Sequence, residues 1–196
     1  MSVLSDRARR RLLVQAAVLA TPLARTRNAQ ASPSPAGGWL QPRLPVPDWH
    51  FLAADGQRRA LRQVLAGKVT AVQLMFAGCT TSCPPQGALF GAVAERMAPA
   101  RCQLLSLSID TLGDTPASVK VWQARFGQYP GWQVGIGETS TIDRLAEFLK
   151  GGSARPGTHT AQVFLFDREA RLSYRSDDLP ASAEIEAQLI RLSGLR

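Results

Sequence analysis

The fold of this chain is decided by an apolar run that leads directly into a pair of cysteines, Val69-Thr70-Ala71-Val72-Gln73-Leu74-Met75-Phe76-Ala77-Gly78-Cys79-Thr80-Thr81-Ser82-Cys83-Pro84. An apolar run of this length followed by Gly78 predicts a buried strand that ends at a turn. Pro84 and Pro85 can occupy a first helical turn, where a missing N–H costs nothing. Apolar residues at helical spacing continue over 86–97, so the pattern predicts a strand, a dithiol loop and a helix.

The spacing of Cys79 and Cys83 indicates a chemical site. Two cysteines four residues apart lie on one side of a helical turn, close enough to form a disulfide or to bind one ion together. A thiol at a helix N-terminus has a lowered pKa, which favours the thiolate that attacks disulfides and binds soft metals. The alternative is a structural disulfide, but a disulfide that closes so small a loop adds little stability.

The first 31 residues have the pattern of an export signal. A basic segment (7–11) precedes a mostly apolar stretch (12–24), and Ala29-Gln30-Ala31 offers a small-residue cleavage site. The apolar stretch is shorter than the about 20 residues that a membrane span needs, and the arginines also fit a twin-arginine signal. We therefore expect a periplasmic protein exported by the Sec or the twin-arginine route. An uncleaved signal that anchors the protein to the membrane is the alternative.

Charge and composition limit the function of the rest of the chain. The whole sequence carries a formal net charge of +8, but residues 1–31 hold six arginines and one acidic residue, so the remainder is close to neutral. A nucleic-acid surface is not needed to explain the charge, and we expect no nucleic-acid partner. Residues 32–45 contain many prolines, serines and glycines and are predicted to be a flexible leader. Residues 46–196 then form one domain.

Strands alternate with helices after Asp48. The apolar run Cys102 to Ile109 is typical of a strand covered on both faces, and Thr115 or Asp114 can cap a helix that begins at Pro116. The pattern predicts further strands over 49–53, 133–134, 161–166 and 171–175, and helices over 139–150 and 182–192. This order predicts an α/β domain with a central mixed sheet flanked by helices. The dithiol after the first central strand favours a thioredoxin-like fold.

The third cysteine and the two histidines differ in setting. Cys102 lies in an apolar strand, where cysteine behaves as a small hydrophobe, although the odd count leaves an intermolecular bond open. His50 precedes the dithiol strand and is expected at the edge or the surface. His159 lies in the loop before the strand over 161–166. In a thioredoxin-like fold this loop lies against the dithiol, so we expect a functional role for His159, with a structural role as the alternative.

Several motifs together resemble the SCO/SenC family over about residues 45–194. They are Phe76-Ala77-Gly78-Cys79-Thr80-Thr81-Ser82-Cys83-Pro84-Pro85, Ser108-Ile109-Asp110, Asp114-Thr115-Pro116, Arg125-Phe126-Gly127, and His159 before an apolar strand and Asp167. The resemblance implies a thioredoxin-like fold and an exported or membrane-tethered domain. It also implies a role in assembling the copper centre of cytochrome c oxidase, as a copper chaperone or as a reductant of the copper-binding cysteines.

Carried over residue by residue, Cys79, Cys83 and His159 match the metal ligands of the family, and Asp110 matches an acidic position near the site. The chemistry of this ligand set agrees. Two thiolates and one imidazole suit copper, because Cu(I) prefers soft sulfur and few ligands, whereas zinc usually takes a fourth ligand. We therefore expect copper, as Cu(I) or Cu(II). The two thiols can also form a disulfide, so metal binding and oxidation exclude each other.

Three functional hypotheses follow. The first is a copper chaperone that delivers the metal to an apo copper protein such as a subunit of cytochrome c oxidase. The second is a thiol-disulfide reductase, in which Cys79 attacks the disulfide of a partner and Cys83 resolves the mixed disulfide. The third is a redox or copper sensor that signals through a partner. A copper site needs all three ligands, whereas a reductase can lose His159.

Overall fold

The computed structural model of the protein describes residues 37–97, 102–150 and 160–194. These residues form eight strands and five helices. The strands are β1 (Gly38–Pro45), β2 (His50–Ala53), β3 (Arg58–Ala60), β4 (Val69–Met75), β5 (Cys102–Ser108), β6 (Trp132–Gly137), β7 (Val163–Phe166) and β8 (Arg171–Arg175). The helices are α1 (Leu61–Leu65), α2 (Cys83–Arg96), α3 (Pro116–Ala124), α4 (Ile142–Lys150) and α5 (Ser182–Ser193).

The strands form one mixed sheet in the order β1-β8-β7-β4-β5-β6-β2-β3. β4, β5 and β6 are parallel neighbours, and the other pairs are antiparallel. The carboxyl ends of β4, β5 and β6 therefore lie together, at what we call the carboxyl end of the sheet. β7 runs in the opposite direction, so the chain enters β7 from this same end. The expected mixed sheet flanked by helices is confirmed.

The position of β4 explains why its sequence is apolar without alternation. All seven of its residues are buried. Val72 belongs to a core cluster that includes Leu149 of α4, whereas Ala71 belongs to a second cluster that includes Phe90 of α2. Because core packs against both faces of the strand, each side chain of β4 needs an apolar environment. The packing also fixes where β4 ends and the cysteine turn begins.

The structure corrects the expectation of a flexible leader over 32–45. Gly38–Pro45 is the edge strand β1 and pairs antiparallel with β8. Trp39 packs on Tyr174 with ring centroids 5.3 Å apart, and the guanidinium of Arg191 lies 4.7 Å from the Trp39 ring. Proline is tolerated on an edge strand, because one side of that strand donates no ladder hydrogen bonds. The prolines therefore mark an edge strand in this segment, and the part of the leader over 32–36 lies outside the described residues.

Other boundaries differ from the predictions by a few residues. Thr115 caps α3, with the Ser118 N–H donating to Thr115 Oγ1 at 3.1 Å, as the cap pattern predicts. The sequence pattern does not predict β3 and α1, because these elements have only three and five residues and give little periodic signal. α4 begins at Ile142 because a turn precedes it, in which the Ile142 N–H donates to the Glu138 carbonyl at 2.9 Å. No helix in the described ranges has the length and apolar character to cross a membrane.

Two glycines allow α2 to pack closely against the segment after α3. A Cβ at Gly87 would lie 2.2 Å from the ring of Phe126, and a Cβ at Gly91 would lie 2.5 Å from the Phe126 carbonyl oxygen. The second contact is with backbone, which cannot rotate away. These glycines therefore set the distance between the dithiol helix and its neighbour.

We expect Gly91→Ala to lower the free energy of unfolding by about 1–3 kcal/mol, the usual cost of overpacking. The clash with the Phe126 carbonyl outweighs the better helix propensity of alanine, which is worth about 1 kcal/mol. Urea denaturation followed by circular dichroism measures the change. Ala88→Ser, at an exposed position of the same helix, is the control and should change the stability by less than about 0.5 kcal/mol. A Gly91→Ala protein as stable as the original would contradict this packing.

Candidate dithiol site

The two cysteines lie where β4 passes into α2. A tight turn follows β4, in which the Cys79 N–H donates to the Phe76 carbonyl at 3.1 Å. Cys83 is the first residue of α2, and its N–H donates to Cys79 Sγ at 3.4 Å. Cys79 is 6% exposed and Cys83 is 0% exposed. The structure thus brings the two predicted thiols together, with Cys79 nearer to solvent.

At the start of α2, a backbone N–H donates a hydrogen bond to sulfur, and there is no ordinary side-chain cap. Ser82 is the N-cap residue but makes no side-chain cap hydrogen bond. The N–H of Cys83 meets the Cys79 sulfur, which is also 3.8 Å from the hydroxyl oxygens of Thr81 and Ser82. Polar hydrogens close to a sulfur stabilise its negative charge when it loses a proton. The Cys79 sulfur therefore accepts the first N–H of α2 and lies close to two hydroxyl groups.

Cys83 differs from the expectation for a thiol at a helix N-terminus. Burial raises the pKa of Cys83 to about 12, and a hydrogen bond with Cys79 adds to the rise. Hydrogen bonds from Phe76 and Ser82 lower it by less. Loss of solvation outweighs the helix dipole here. The prediction of a lowered pKa is therefore wrong for Cys83.

A carboxylate from the neighbouring strand connection supports the cysteine turn. Asp114 Oδ2 accepts the Ala77 N–H at 2.9 Å and the Ser108 hydroxyl at 2.5 Å. The sequence pattern indicated Asp114 only as an alternative helix cap, and in the structure Thr115 is the cap. Asp110, the acidic position matched by the resemblance, instead accepts the Gly113 N–H at 2.8 Å within its own turn. The signal in the sequence was that Asp114 and Thr115 are both candidate caps for the same helix. Because Thr115 is the cap, the Asp114 carboxylate can accept hydrogen bonds from other residues.

His159 lies outside the described residues. The described chain on either side of it is held by the last residue of β8 and by a residue that follows β8. Arg175 donates to the Phe148 carbonyl at 3.0 Å, and the Ala161 N–H donates to Asp178 Oδ1 at 3.0 Å. Within 37–97, 102–150 and 160–194, no three histidine, cysteine, aspartate or glutamate residues form a group that could hold a metal ion. The described part of the chain therefore supplies the dithiol alone.

Cys102 lies away from the dithiol, at the start of β5. It pairs with Val69 at the start of β4, whereas the dithiol follows the end of β4. Its side chain is 3% exposed and belongs to the same core cluster as Phe90. The expectation that Cys102 is a core residue is confirmed.

The sheet order and the two neighbouring cysteines at the start of a helix define a thioredoxin-like domain with a pair of buried thiols. The SCO1/SenC family model matches residues 41–193, and the chain belongs to this family. The resemblance found in the sequence motifs is therefore confirmed. No curated protein matches the chain.

Solved structures with similar folds include three of this family. A SCO1/SenC family lipoprotein from Bacillus anthracis is 22% identical, with a TM-score of 0.65, and the match covers 77% of this chain and 96% of that chain. BsSco, of the Sco family of cytochrome c oxidase assembly proteins, is 18% identical, with a TM-score of 0.68 over 84% and 100% of the two chains. Bradyrhizobium japonicum ScoI with copper bound is 20% identical, with a TM-score of 0.60 over 81% and 99%. The likeness confirms the thioredoxin-like fold.

Proposed function

We propose that this protein binds one copper ion and delivers it as cargo to an apo copper enzyme, with the copper site of cytochrome c oxidase as the expected client. The observation that carries this proposal is the pair of buried thiols joined by the Cys83 N–H to Cys79 Sγ contact of 3.4 Å. Two neighbouring cysteines, one in the turn before α2 and one at its first residue, offer soft sulfur ligands to a single ion, and soft sulfur is the donor that Cu(I) prefers.

His159 is the proposed third ligand. It immediately precedes Thr160, and the chain then enters β7 from the carboxyl end of the sheet. β7 pairs antiparallel with β4, with Gln73 opposite Val163, so the residues before Val163 run alongside the segment that leads to Cys79. This topology supports a histidine within reach of the dithiol. A two-thiolate, one-imidazole set leaves copper open to attack by the thiolates of a client, which suits transfer.

The relatives support the choice of metal and client. The Bradyrhizobium japonicum and yeast proteins are solved with copper bound, and BsSco is described as a cytochrome c oxidase assembly protein. For this chain we propose an exported, periplasmic location, with residues 1–31 as the signal or, if uncleaved, as a membrane anchor. One of the relatives is a lipoprotein.

The second candidate function is a thiol-disulfide reductase, and the exposure of the two thiols favours it specifically. Cys79, at 6% exposed against 0% for Cys83, is the thiol that a partner reaches first. Its thiolate would attack one sulfur of a client disulfide, form a mixed disulfide and release one client thiolate. Cys83 would then give its proton to the first client thiolate and attack Cys79 Sγ. This closes the Cys79–Cys83 disulfide and releases the second client thiolate, so two electrons and one proton pass to the client.

A transfer assay separates the two functions. The Cu(I)-loaded protein is mixed with a reduced, metal-free copper domain of an oxidase subunit, and the copper content of each protein is measured after separation. In parallel, the reduced, metal-free protein is mixed with the same domain in its disulfide form, and the new thiols are counted. We expect copper to move in the first assay. Thiols formed in the second assay, with no copper moved in the first, would contradict delivery and favour the reductase.

A further inference from the structure

The turn that carries Cys79 is held from a neighbouring strand connection. Ala77 is the second residue of the Phe76–Cys79 turn, and its N–H donates to Asp114 Oδ2 at 2.9 Å. The turn itself is closed by the Cys79 N–H to Phe76 carbonyl bond of 3.1 Å. Fixing Ala77 therefore fixes the peptide that precedes Gly78 and Cys79. No other side-chain acceptor for the Ala77 N–H is seen in the part of the chain that the structure describes.

Asp114 is itself held in place by hydrogen bonds, so its carboxylate can fix the position of Ala77. Its own N–H donates to the Asp110 carbonyl at 3.0 Å, and the Ser108 and Ser118 hydroxyls donate to its two carboxylate oxygens at 2.5 and 3.1 Å. Ser108 ends β5 and lies opposite Met75 at the end of β4. The carboxylate is thus tied to both β5 and α3.

The Asp110 side chain lies against Gly113 within the Asp110–Asp114 turn. A Cβ at Gly113 would lie 2.3 Å from Asp110 Oδ2, while the Gly113 N–H donates to Asp110 Oδ1. Asp110 therefore shapes the turn, and Asp114 at its end reaches across to the cysteine turn. The helix cap that follows is Thr115, so the Asp114 carboxylate is not needed to cap α3.

We infer that Asp114 is a positioning residue for the dithiol: its carboxylate fixes Ala77 and thereby holds Cys79 Sγ against the N–H of Cys83. The consequence for copper binding rests on the function proposed above. Without the Asp114 acceptor, the Phe76–Cys79 turn gains freedom, Cys79 opens more often to solvent, and the two sulfurs are less often placed to share one ion.

The test compares Asp114→Ala, Asp114→Asn and Ser118→Ala in the reduced full-length protein. The first readout is the rate at which iodoacetamide alkylates Cys79 relative to Cys102, measured by peptide mass spectrometry. Cys102 is 3% exposed at the opposite end of β4 and β5, so its alkylation reports global opening. The second readout is the affinity for Cu(I), measured against a competing chelator.

Asp114→Ala is expected to raise the Cys79-to-Cys102 alkylation ratio about tenfold and to lower the Cu(I) affinity about tenfold, the effect of losing one hydrogen bond to a charged acceptor. Asp114→Asn keeps an oxygen for the Ala77 N–H and should stay within about threefold of the original protein. Ser118→Ala leaves the Ala77 contact intact and should not change the ratio.

Cys79 and Cys102 rates that rise together in Asp114→Ala would show a loss of stability alone and would overturn the inference. An unchanged ratio, or an Asp114→Asn protein as affected as Asp114→Ala, would also overturn it. The proposed delivery function and the proposed role of Asp114 can be refuted separately. If the original protein binds no Cu(I), the proposed delivery function is wrong, while the alkylation ratio still decides the role of Asp114.

Discussion

Cys83→Ser is expected to lower the affinity of the reduced protein for Cu(I) by more than about 100-fold. Loss of a residue that only hydrogen-bonds to a metal ligand lowers metal affinity by about 10–100-fold, and loss of a ligand itself should lower it more. Serine offers a hard hydroxyl oxygen in place of a soft thiolate. It also leaves Cys79 without the neighbouring sulfur at the start of α2, where the Cys83 N–H meets Cys79 Sγ. Chelator competition with anaerobic Cu(I) measures the affinity.

Cys102→Ser is the matched control for this substitution. Cys102 is also a buried cysteine, but it begins β5 opposite Val69, away from the carboxyl end of the sheet where the dithiol lies. We expect its loss to leave the Cu(I) affinity unchanged. If Cys83→Ser binds Cu(I) as tightly as the original protein, or if Cys102→Ser loses the metal, the dithiol is not the copper site.

Asp167→Ala is expected to lower the free energy of unfolding by about 2–4 kcal/mol at pH 7, because two backbone N–H groups lose their acceptor. Asp167 is 3% exposed. Its Oδ1 accepts the N–H groups of Glu169 and Arg171 at 3.1 and 2.9 Å, and its Oδ2 accepts from the Arg43 and Arg171 side chains at 3.0 and 2.9 Å. The arginines are partly exposed and can turn to water, so they add less.

The same carboxylate predicts a pH dependence. Burial, the largest influence, raises the pKa of Asp167, but the backbone hydrogen bond from Arg171 and the bonds from the Arg43 and Arg171 side chains together hold it below its ordinary value of 3.8. Its contribution to stability is therefore complete above pH 3.8 and is lost as the pH falls through the lower folded-state pKa. Denaturation at pH 7 and at several pH values below 3.8 should show the disadvantage of Asp167→Ala shrinking in acid, because the neutral carboxyl no longer attracts the two arginines. A difference that stays constant with pH would contradict this account.

The sequence predicted the central part of the fold well because its signals are local. The apolar run before Cys79 and the prolines after Cys83 describe β4 and the start of α2 without reference to the rest of the chain. β1 could not be recognised in this way. Its residues form a strand only because β8 pairs with them, more than 120 residues later in the chain, and an edge strand shows little alternation and tolerates proline.

The candidate site could likewise be predicted only in part from the sequence. The approach of Cys79 to Cys83 follows from their spacing, but the Ala77 to Asp114 bond joins residues 37 positions apart, and only the parallel pairing of β4 with β5 brings them together. The raised pKa of Cys83 could not be predicted from the sequence for a related reason. The helix terminus is visible in the sequence, whereas the burial that raises this pKa to about 12 depends on the packed core.

We propose that Cys79, Cys83 and His159 together bind one copper ion. The most direct test is a Cu(I) titration of the reduced protein against a competing chelator, with His159→Ala beside it and His50→Ala as the control at the chain's other histidine. We predict one tightly bound Cu(I), weakened at least about tenfold by His159→Ala, as expected for loss of a ligand, and unchanged by His50→Ala. Weak binding that does not depend on His159, together with fast reduction of a small disulfide substrate, would contradict the copper site and leave the reductase.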